Sequence, residues 1–378
     1  MILDVTRINA YADALRKVTN PDTVVVDIGA GTGIFALLAC QFGARHVYAI
    51  EPSDIIQLAK ELALENKCAG RITFLQGQST EVALPEKAHV IVSDIRGVLP
   101  FFQTHIPSII DARQRFLADG GVLIPECDIL WLAVTHSPDQ YASHTKPWEE
   151  NPQEIRMDAA RRMSINTWSK GKPREEDLLT EPVSWSRLDY LTVTEPDVRA
   201  EITSDVVRSG IAHGLTVWFD TILSGGRGLS NAPGQPETVY SSGFLPFSEP
   251  IPVERSDTVK IVLQADLVVD EYVWRWSTLV RGGGSSPQIK ADFRQSTLYG
   301  TLMSMSRLRK AAADHVPILD EEGQVERMVL TLMDGVRSLS EIARQLTNLF
   351  PRRYKNWLDA LPEVGRISQQ FSQGDLPR

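Results

Sequence analysis

Cysteine is scarce in this chain. Its 378 residues hold three, Cys40, Cys68 and Cys127, too few and too scattered for a disulfide framework or a zinc site. That points to a reducing cytoplasm. No apolar run approaches the ~20 residues of a membrane-spanning helix, and no signal-peptide pattern opens the chain. Positive charge is short as well: 39 Lys and Arg stand against 48 Asp and Glu, a net charge of -9. A broad phosphate-binding surface is thereby disfavoured, and no nucleic-acid partner is expected. Internal repeats and low-complexity tracts are lacking. His89, His105 and His213 have no carboxylate or cysteine neighbours at ligand spacing, so no metal site is expected. The length predicts two or three domains, each large enough to bury a core.

Against these absences one stretch stands out. Val24-Val25-Val26-Asp27-Ile28 is a β-branched run ending beside an acidic residue, Gly29, Gly31 and Gly33 follow, and Ile34 to Ala39 reads as a helix. A strand that enters a tight loop and a helix N-terminus presents backbone N–H groups to a ligand. Glu51 closes a second strand, His46 to Ile50, where a carboxylate can accept hydrogen bonds from ribose hydroxyls. A dinucleotide fingerprint needs a glycine at position 34, which here is isoleucine. Nicotinamide or flavin binding, and a tight turn with no ligand, remain as alternatives on this pattern alone.

Strands and helices alternate through the first third. A helix is expected over 4–19, one after the cap Ser53-Asp54, strands at 71–75 and 90–92, a helix from about Pro100 to Arg115 and a strand at 122–124. This is the rhythm of a doubly wound α/β sheet, whose ligands lie at the strand C-termini, where Asp27, Glu51, Gly77 and Asp94 fall. Beyond Pro125 short strands take over, at 129–135, 211–223, 259–269 and 273–280, separated by Pro, Gly and Ser clusters at 224–235 and 282–287. They predict an all-β barrel or sandwich, with Tyr240, Trp274 and Trp276 in its core or at an interface. Residues 137–182 are polar and Pro-rich and form an excursion or a dimerisation arm. From about Leu308 the chain is helical, with Val325, Met328, Val329 and Leu332 on one face. Ser338-Leu339-Ser340-Glu341 makes a capping box for a helix turning Ile342, Leu346 and Leu349 inward, and a last helix carries Trp357, Leu358 and Leu361. The expected organisation is a Rossmann-like domain over 1–125, a β-barrel domain over 126–307 and a small helical domain over 308–378.

The Asp-x-Gly-x-Gly-x-Gly form with Glu51 is similar to motif I of class I methyltransferases, which bind S-adenosylmethionine. Residues 1 to about 280 resemble the protein arginine methyltransferase family, a Rossmann-like half followed by a β-barrel half. Met1-Ile2-Leu3-Asp4 with Arg7 and Tyr11 matches its M-L-x-D-x-x-R-x-x-x-Y, and the resemblance implies that Arg7 holds the cofactor carboxylate, a task suited to a guanidinium. Gly43 to Glu51 and Gly77 to Val82 match as well. The resemblance thus implies cofactor contacts from Arg7, Asp27, Gly29, Gly31, Gly33, Glu51, Ser79 and Thr80, with Thr80 standing where the family has a glutamate near the adenine.

The departures bear on the acceptor. The family's S-E-W-M-G is here Ser93-Asp94-Ile95-Arg96-Gly97, its second glutamate, nine residues on, is Gln103, and its T-H-W is Thr238-Val239-Tyr240. Two carboxylates hold the fork of a substrate guanidinium and offset its charge; one aspartate, a glutamine and an added arginine do this poorly. Asp94, Arg96 and Gln103 are therefore the expected catalytic set, with Asp94 orienting or deprotonating a neutral nitrogen or hydroxyl, Gln103 bonding an amide or carboxyl, and Arg96 attracting an anionic group. The terminal module resembles winged-helix peptide-binding domains of ribosomal-peptide maturation, which implies leader-peptide binding by β-augmentation. The reading is a cytoplasmic S-adenosylmethionine-dependent methyltransferase of a peptide or protein side chain, at nitrogen first and oxygen next. Such a peptide could be a ribosomally synthesised precursor, and the family's habit implies a homodimer. A true arginine methyltransferase with a diverged pocket and an inactive cofactor-binding scaffold are the alternatives.

Overall fold

The computed structural model describes residues 2–150, 153–283 and 288–372. Met1, part of the N-terminal motif, and residues 284–287 of the second turn cluster lie outside the described residues. Two units are distinguished, Met1–Leu302 and Met303–Arg378.

In the first unit Asp4 caps helix α1 (Val5–Val18) by accepting from the Arg7 N–H at 2.9 Å. Strand β1 (Val24–Ile28) is buried at every position, as a central strand covered on both faces must be. Helix α2 (Ile34–Gln41), β2 (His46–Glu51), α3 (Ile56–Glu65), β3 (Ile72–Gln76), β4 (Ala88–Ser93), α4 (His105–Phe116) and β5 (Leu117–Ile124) follow. The five strands form a parallel sheet in the order β3-β2-β1-β4-β5, so the α/β expectation holds. Two boundaries differ. Ser53 does not cap α3, whose N-cap is Ile55; its N–H and hydroxyl are spent on Glu51. The helix expected from Pro100 begins only at His105, because residues 95–104 form a loop in which Gln103 takes a left-handed φ of 44°.

After the cis Ile124-Pro125 corner the chain enters β6 (Cys127–Thr135). The arm region then folds as α5 (Pro138–Glu149), α6 (Asp158–Ser164) and β7 (Ser169–Gly171). The Tyr141 hydroxyl donates to Ser248 O at 3.1 Å and so ties α5 to the β region. Then come β8 (Val183–Asp189), β9 (Val198–Asp205), β10 (Gly210–Ser224), β11 (Arg227–Ser230), β12 (Ser242–Val253), β13 (Thr258–Val268), β14 (Glu271–Arg281) and β15 (Ile289–Ser296). They make two antiparallel sheets, β7-β12-β10-β6-β8 with β11 beside β10, and β15-β14-β13-β9. Alternation along β14 turns Tyr272, Trp274, Trp276, Thr278 and Val280 inward, and Trp276 Nε1 donates to Pro246 O at 3.1 Å. A single apolar core runs from the parallel sheet into this region, with Phe101 packed on Trp185, Tyr272 and Trp274.

The second unit holds α7 (Met305–Lys310), α8 (Glu321–Leu332), α9 (Leu339–Leu349) and α10 (Trp357–Phe371). The capping box forms as expected, Ser338 to the Glu341 N–H and Glu341 back to the Ser338 N–H. Val325, Val329, Ile342, Leu346, Tyr354, Val364 and Ile367 make a separate core. Leu349, expected inward, is exposed. Among the described residues this unit contains no strand. The wing and edge strand that β-augmentation requires are therefore missing from them, and peptide capture in that mode has no template there.

Candidate active site

Gly29, Gly31 and Gly33 all have left-handed φ, 70°, 53° and 79°, and they turn the chain from β1 into α2. A side chain at Gly29 would collide with Ile95, whereas at Gly31 it would meet nothing, because that position opens onto a cavity. The cavity, about 550 Å³, is bounded by Ile2, Leu3, Arg7, Gly31, Phe35 and Asp94. A second, about 310 Å³, is bounded by Glu51, Gly77, Gln78, Ser79, Phe102 and Gln103. Gly29 borders both. An elongated ligand with a charged end and a nucleoside end fits this pair: Arg7 serves the first cavity and Glu51 the second.

Glu51 accepts from the Gly31 N–H at 3.0 Å through one oxygen and from Ser53 N–H and Oγ, 2.9 and 2.6 Å, through the other. That fixes its carboxylate at the rim where ribose hydroxyls would lie. Ser79 is buried and lines the second cavity, while Thr80 is exposed and does not. Thr80 as an adenine-side contact is thus corrected: it is exposed to solvent, and of the two neighbours only Ser79 borders the cavity. Asp27 is corrected in part. It is fully buried, accepts from the Ala36 N–H at 3.0 Å, and lines neither cavity. Burial, opposed by that N–H and aided by Glu51 and Asp94, pushes its carboxyl up to about 7. It caps the first turn of α2 and has no direct path to a ligand in those cavities.

The expected catalytic trio divides. Asp94 and Arg96 come together: Arg96 Nη2 lies 3.6 Å from Asp94 Oδ1. Gln103 is exposed and lines the second cavity, so it does not join them. Its loop carries it over the strand C-termini rather than toward Asp94. Asp94 is ion-paired with Arg7 and accepts from the hydroxyls of Tyr11, at 3.2 Å, and Tyr240. Arg96 is not poised to attract an anion, because its Nη1 donates to Asp128 Oδ1 and Thr221 Oγ1, both at 2.6 Å. Its Nη2 donates to Tyr11 Oη at 2.8 Å. Burial works against the Arg96 charge, but Asp128 first and then the tyrosines and Asp94 outweigh it, holding its pKa above the ordinary value. The chain continues behind Asp128. The Tyr190 hydroxyl donates to Asp128 Oδ2 at 2.5 Å and receives His105 Nε2–H at 3.1 Å. His105 is therefore neutral, its Nδ1 buried without a partner, and burial and Arg96 lower its pKa to about 3.

Sequence reasoning missed Asp128, Thr221, Tyr190 and Tyr240 as members of this cluster. Tyr240 was expected in the barrel core or at an interface; it is buried, yet its hydroxyl donates to Asp94. The available signal was Asp128, one acidic residue in the apolar run Cys127-Asp128-Ile129-Leu130-Trp131-Leu132, since a carboxylate in a fully buried strand needs a partner.

Comparison with known proteins supports the same architecture. Residues 10–125 match the family described as Ribosomal protein L11 methyltransferase (PrmA). The chain is 33% identical over 282 residues, 68% of its length, to Protein arginine N-methyltransferase 2 of Mus musculus, and 32% identical over 287 residues to that of Homo sapiens. It spans 61% and 66% of those two relatives, less than two thirds of either. Among solved structures it superposes on the Trypanosoma brucei PRMT1 enzyme-prozyme heterotetrameric complex with AdoHcy, with a TM-score of 0.69, 22% identity and coverage of 78% of this chain and 96% of that one. Protein arginine methyltransferase 10 of Arabidopsis thaliana gives the same score and identity over 78% and 95%. The chain is similar in sequence to arginine methyltransferases, and it has their fold.

Proposed function

We propose that this chain is an S-adenosylmethionine-dependent methyltransferase acting on a side chain of a peptide or protein, at nitrogen first and oxygen next. One observation carries the reading: Asp94, at the C-terminal end of β4, shares a cavity with Arg7 and Gly31 and has its carboxylate held by fixed hydroxyls. When bound, the cofactor supplies an electrophilic methyl on a sulfonium. Arg7, with Gly31 leaving room at the loop, is the residue for its carboxylate; Glu51 and Ser79 are the residues for its nucleoside. Asp94 orients the acceptor and takes up its proton, which is the modest base that in-line displacement requires. The relatives' names favour a second reading, arginine as the acceptor. The cluster around Asp94 favours a neutral acceptor, because the Arg96 guanidinium already stands between Asp94 and Asp128.

We place leader-segment binding, if the substrate is a precursor peptide, on a helical face of residues 303–378, since that unit has its own core. The buried, unpaired cysteines agree with work in the cytoplasm, and the α5–α6 segment is our choice for a homodimer contact.

The test is methyl transfer from labelled cofactor to peptides, measured beside S-adenosylhomocysteine binding by calorimetry. Asp94→Ala is expected to lower turnover at least a hundredfold while the product still binds. Unchanged turnover overturns the role of Asp94, and binding without transfer to any peptide turns the reading toward a scaffold.

A further inference from the structure

The Arg96 side chain is completely enclosed. Carboxylates stand at its edge, Asp128 Oδ1 at 2.6 Å from Nη1 and Asp94 Oδ1 at 3.6 Å from Nη2. Aromatic rings stand at its face, with the guanidinium carbon 5.0 Å from the Phe219 centroid and 5.3 Å from that of Tyr240. Hydroxyls of Thr221 and Tyr11 complete the fork. Carboxylates in plane and π-faces above are the means by which a protein recognises a guanidinium. The guanidinium recognised here is the chain's own.

We propose that Arg96 fills a guanidinium pocket from within and thereby sets acceptor specificity, closing the place beside Asp94 to a substrate arginine and leaving Asp94 to a neutral nitrogen or hydroxyl. This rests on the reading of Asp94 as the acceptor-side carboxylate. Charge supports it independently of Arg7: Arg96 is paired with Asp128 and lies 3.6 Å from Asp94, so a substrate guanidinium would have to enter an enclosed place that already holds one. Asp128 is a positioning residue in this scheme. It touches neither cavity and acts by holding Arg96, with Tyr190 holding Asp128 in turn.

The experiment uses the full chain and methylguanidinium as probe, titrated by calorimetry into the wild type, Arg96→Gly and Arg96→Lys, with a cooperative thermal transition as the criterion of folding. Arg96→Gly empties the pocket and leaves both carboxylates; it is expected to bind methylguanidinium at least tenfold more tightly than the wild type. Arg96→Lys keeps a cation in place and is expected to match the wild type. A folded glycine variant that gains no affinity overturns the proposal, as does a lysine variant that binds as well as the glycine variant. Wild-type protein is also given an arginine peptide and its citrulline counterpart with labelled cofactor. Label on the arginine guanidinium overturns the proposal even if Arg96→Gly does not fold. Failure of the wild type to bind S-adenosylhomocysteine sinks the methyltransferase reading instead, and the methylguanidinium titration still decides whether the pocket is a guanidinium site.

Discussion

Asp27 sits next to the glycine loop, yet its clearest consequence is for stability. Its carboxyl is raised to about 7 by burial, against about 3.9 in an unfolded chain. The folded chain therefore keeps a proton that the unfolded chain gives up. The stabilisation is full below about pH 4 and is lost as pH rises through about 7, a change on the order of a few kcal/mol. Asp27→Asn, which cannot ionise, is expected to remove this part of the slope. Thermal unfolding of both proteins from pH 4 to pH 8 measures it, and an unchanged slope in the variant would assign it elsewhere. His105 acts in the opposite sense, losing stability as pH falls from about 6.5 toward its folded value of about 3, so the comparison is made between variant and parent and not on the parent alone. At this scale the lining of the two cavities was largely legible in the sequence: Arg7, Gly29, Gly31, Glu51 and Ser79 border them, whereas Gly33, close against Ala59, borders neither. Thr80 and Gln103 were not, because a side chain's direction in a loop depends on backbone angles that spacing does not encode. Thr221 and Tyr240 were invisible for another reason, since each reaches the cluster from a distant strand or loop, and Asp128 signalled only that a partner was needed.

The glycine loop separates fold from ligand. Gly29→Ala puts a methyl group against Ile95 at a left-handed backbone position and is expected to cost stability, about 2 kcal/mol or more, together with cofactor affinity. Gly31→Ala faces open space. It is expected to cost only about 1 kcal/mol of stability, the left-handed penalty alone, while weakening S-adenosylhomocysteine binding tenfold or more. Thermal melts and calorimetric titration of the two variants distinguish these outcomes; a Gly31→Ala protein with full affinity would remove the loop from the ligand site. The β-branched run of β1 and the periodic β13, β14 and α9 were readable from pattern. The helix expected from Pro100 was not, because its apolar residues pack as a loop, Phe101 pointing into the core beside Trp185 and Gly97 lying close under Phe102.

The whole chain is two bodies, each with its own apolar core. A chain ending at Leu302 is expected to melt cooperatively and to bind S-adenosylhomocysteine within about twofold of the full protein, because both cavities are lined by residues up to Ser108. Loss of that binding on truncation would show that the helical unit supports the cofactor site. The two-part α/β and β plan of the first 302 residues was legible because each period persists over many residues. How the two halves share one polar cluster was not, since that depends on tertiary pairing.

The bond from the Val239 N–H to Asp4 Oδ2 joins residues 235 apart, and the Arg96–Thr221 and Tyr240–Asp94 bonds join residues 125 and 146 apart. On a ribosome, the lining of both cavities is complete in sequence when Ser108 has emerged, whereas the polar cluster waits for Tyr240. Contacts of such separation form late because the intervening chain must first be closed. Assembly of the fold is therefore ordered along the chain: every residue that lines the two cavities is made long before those that close the polar cluster around Asp94 and Arg96.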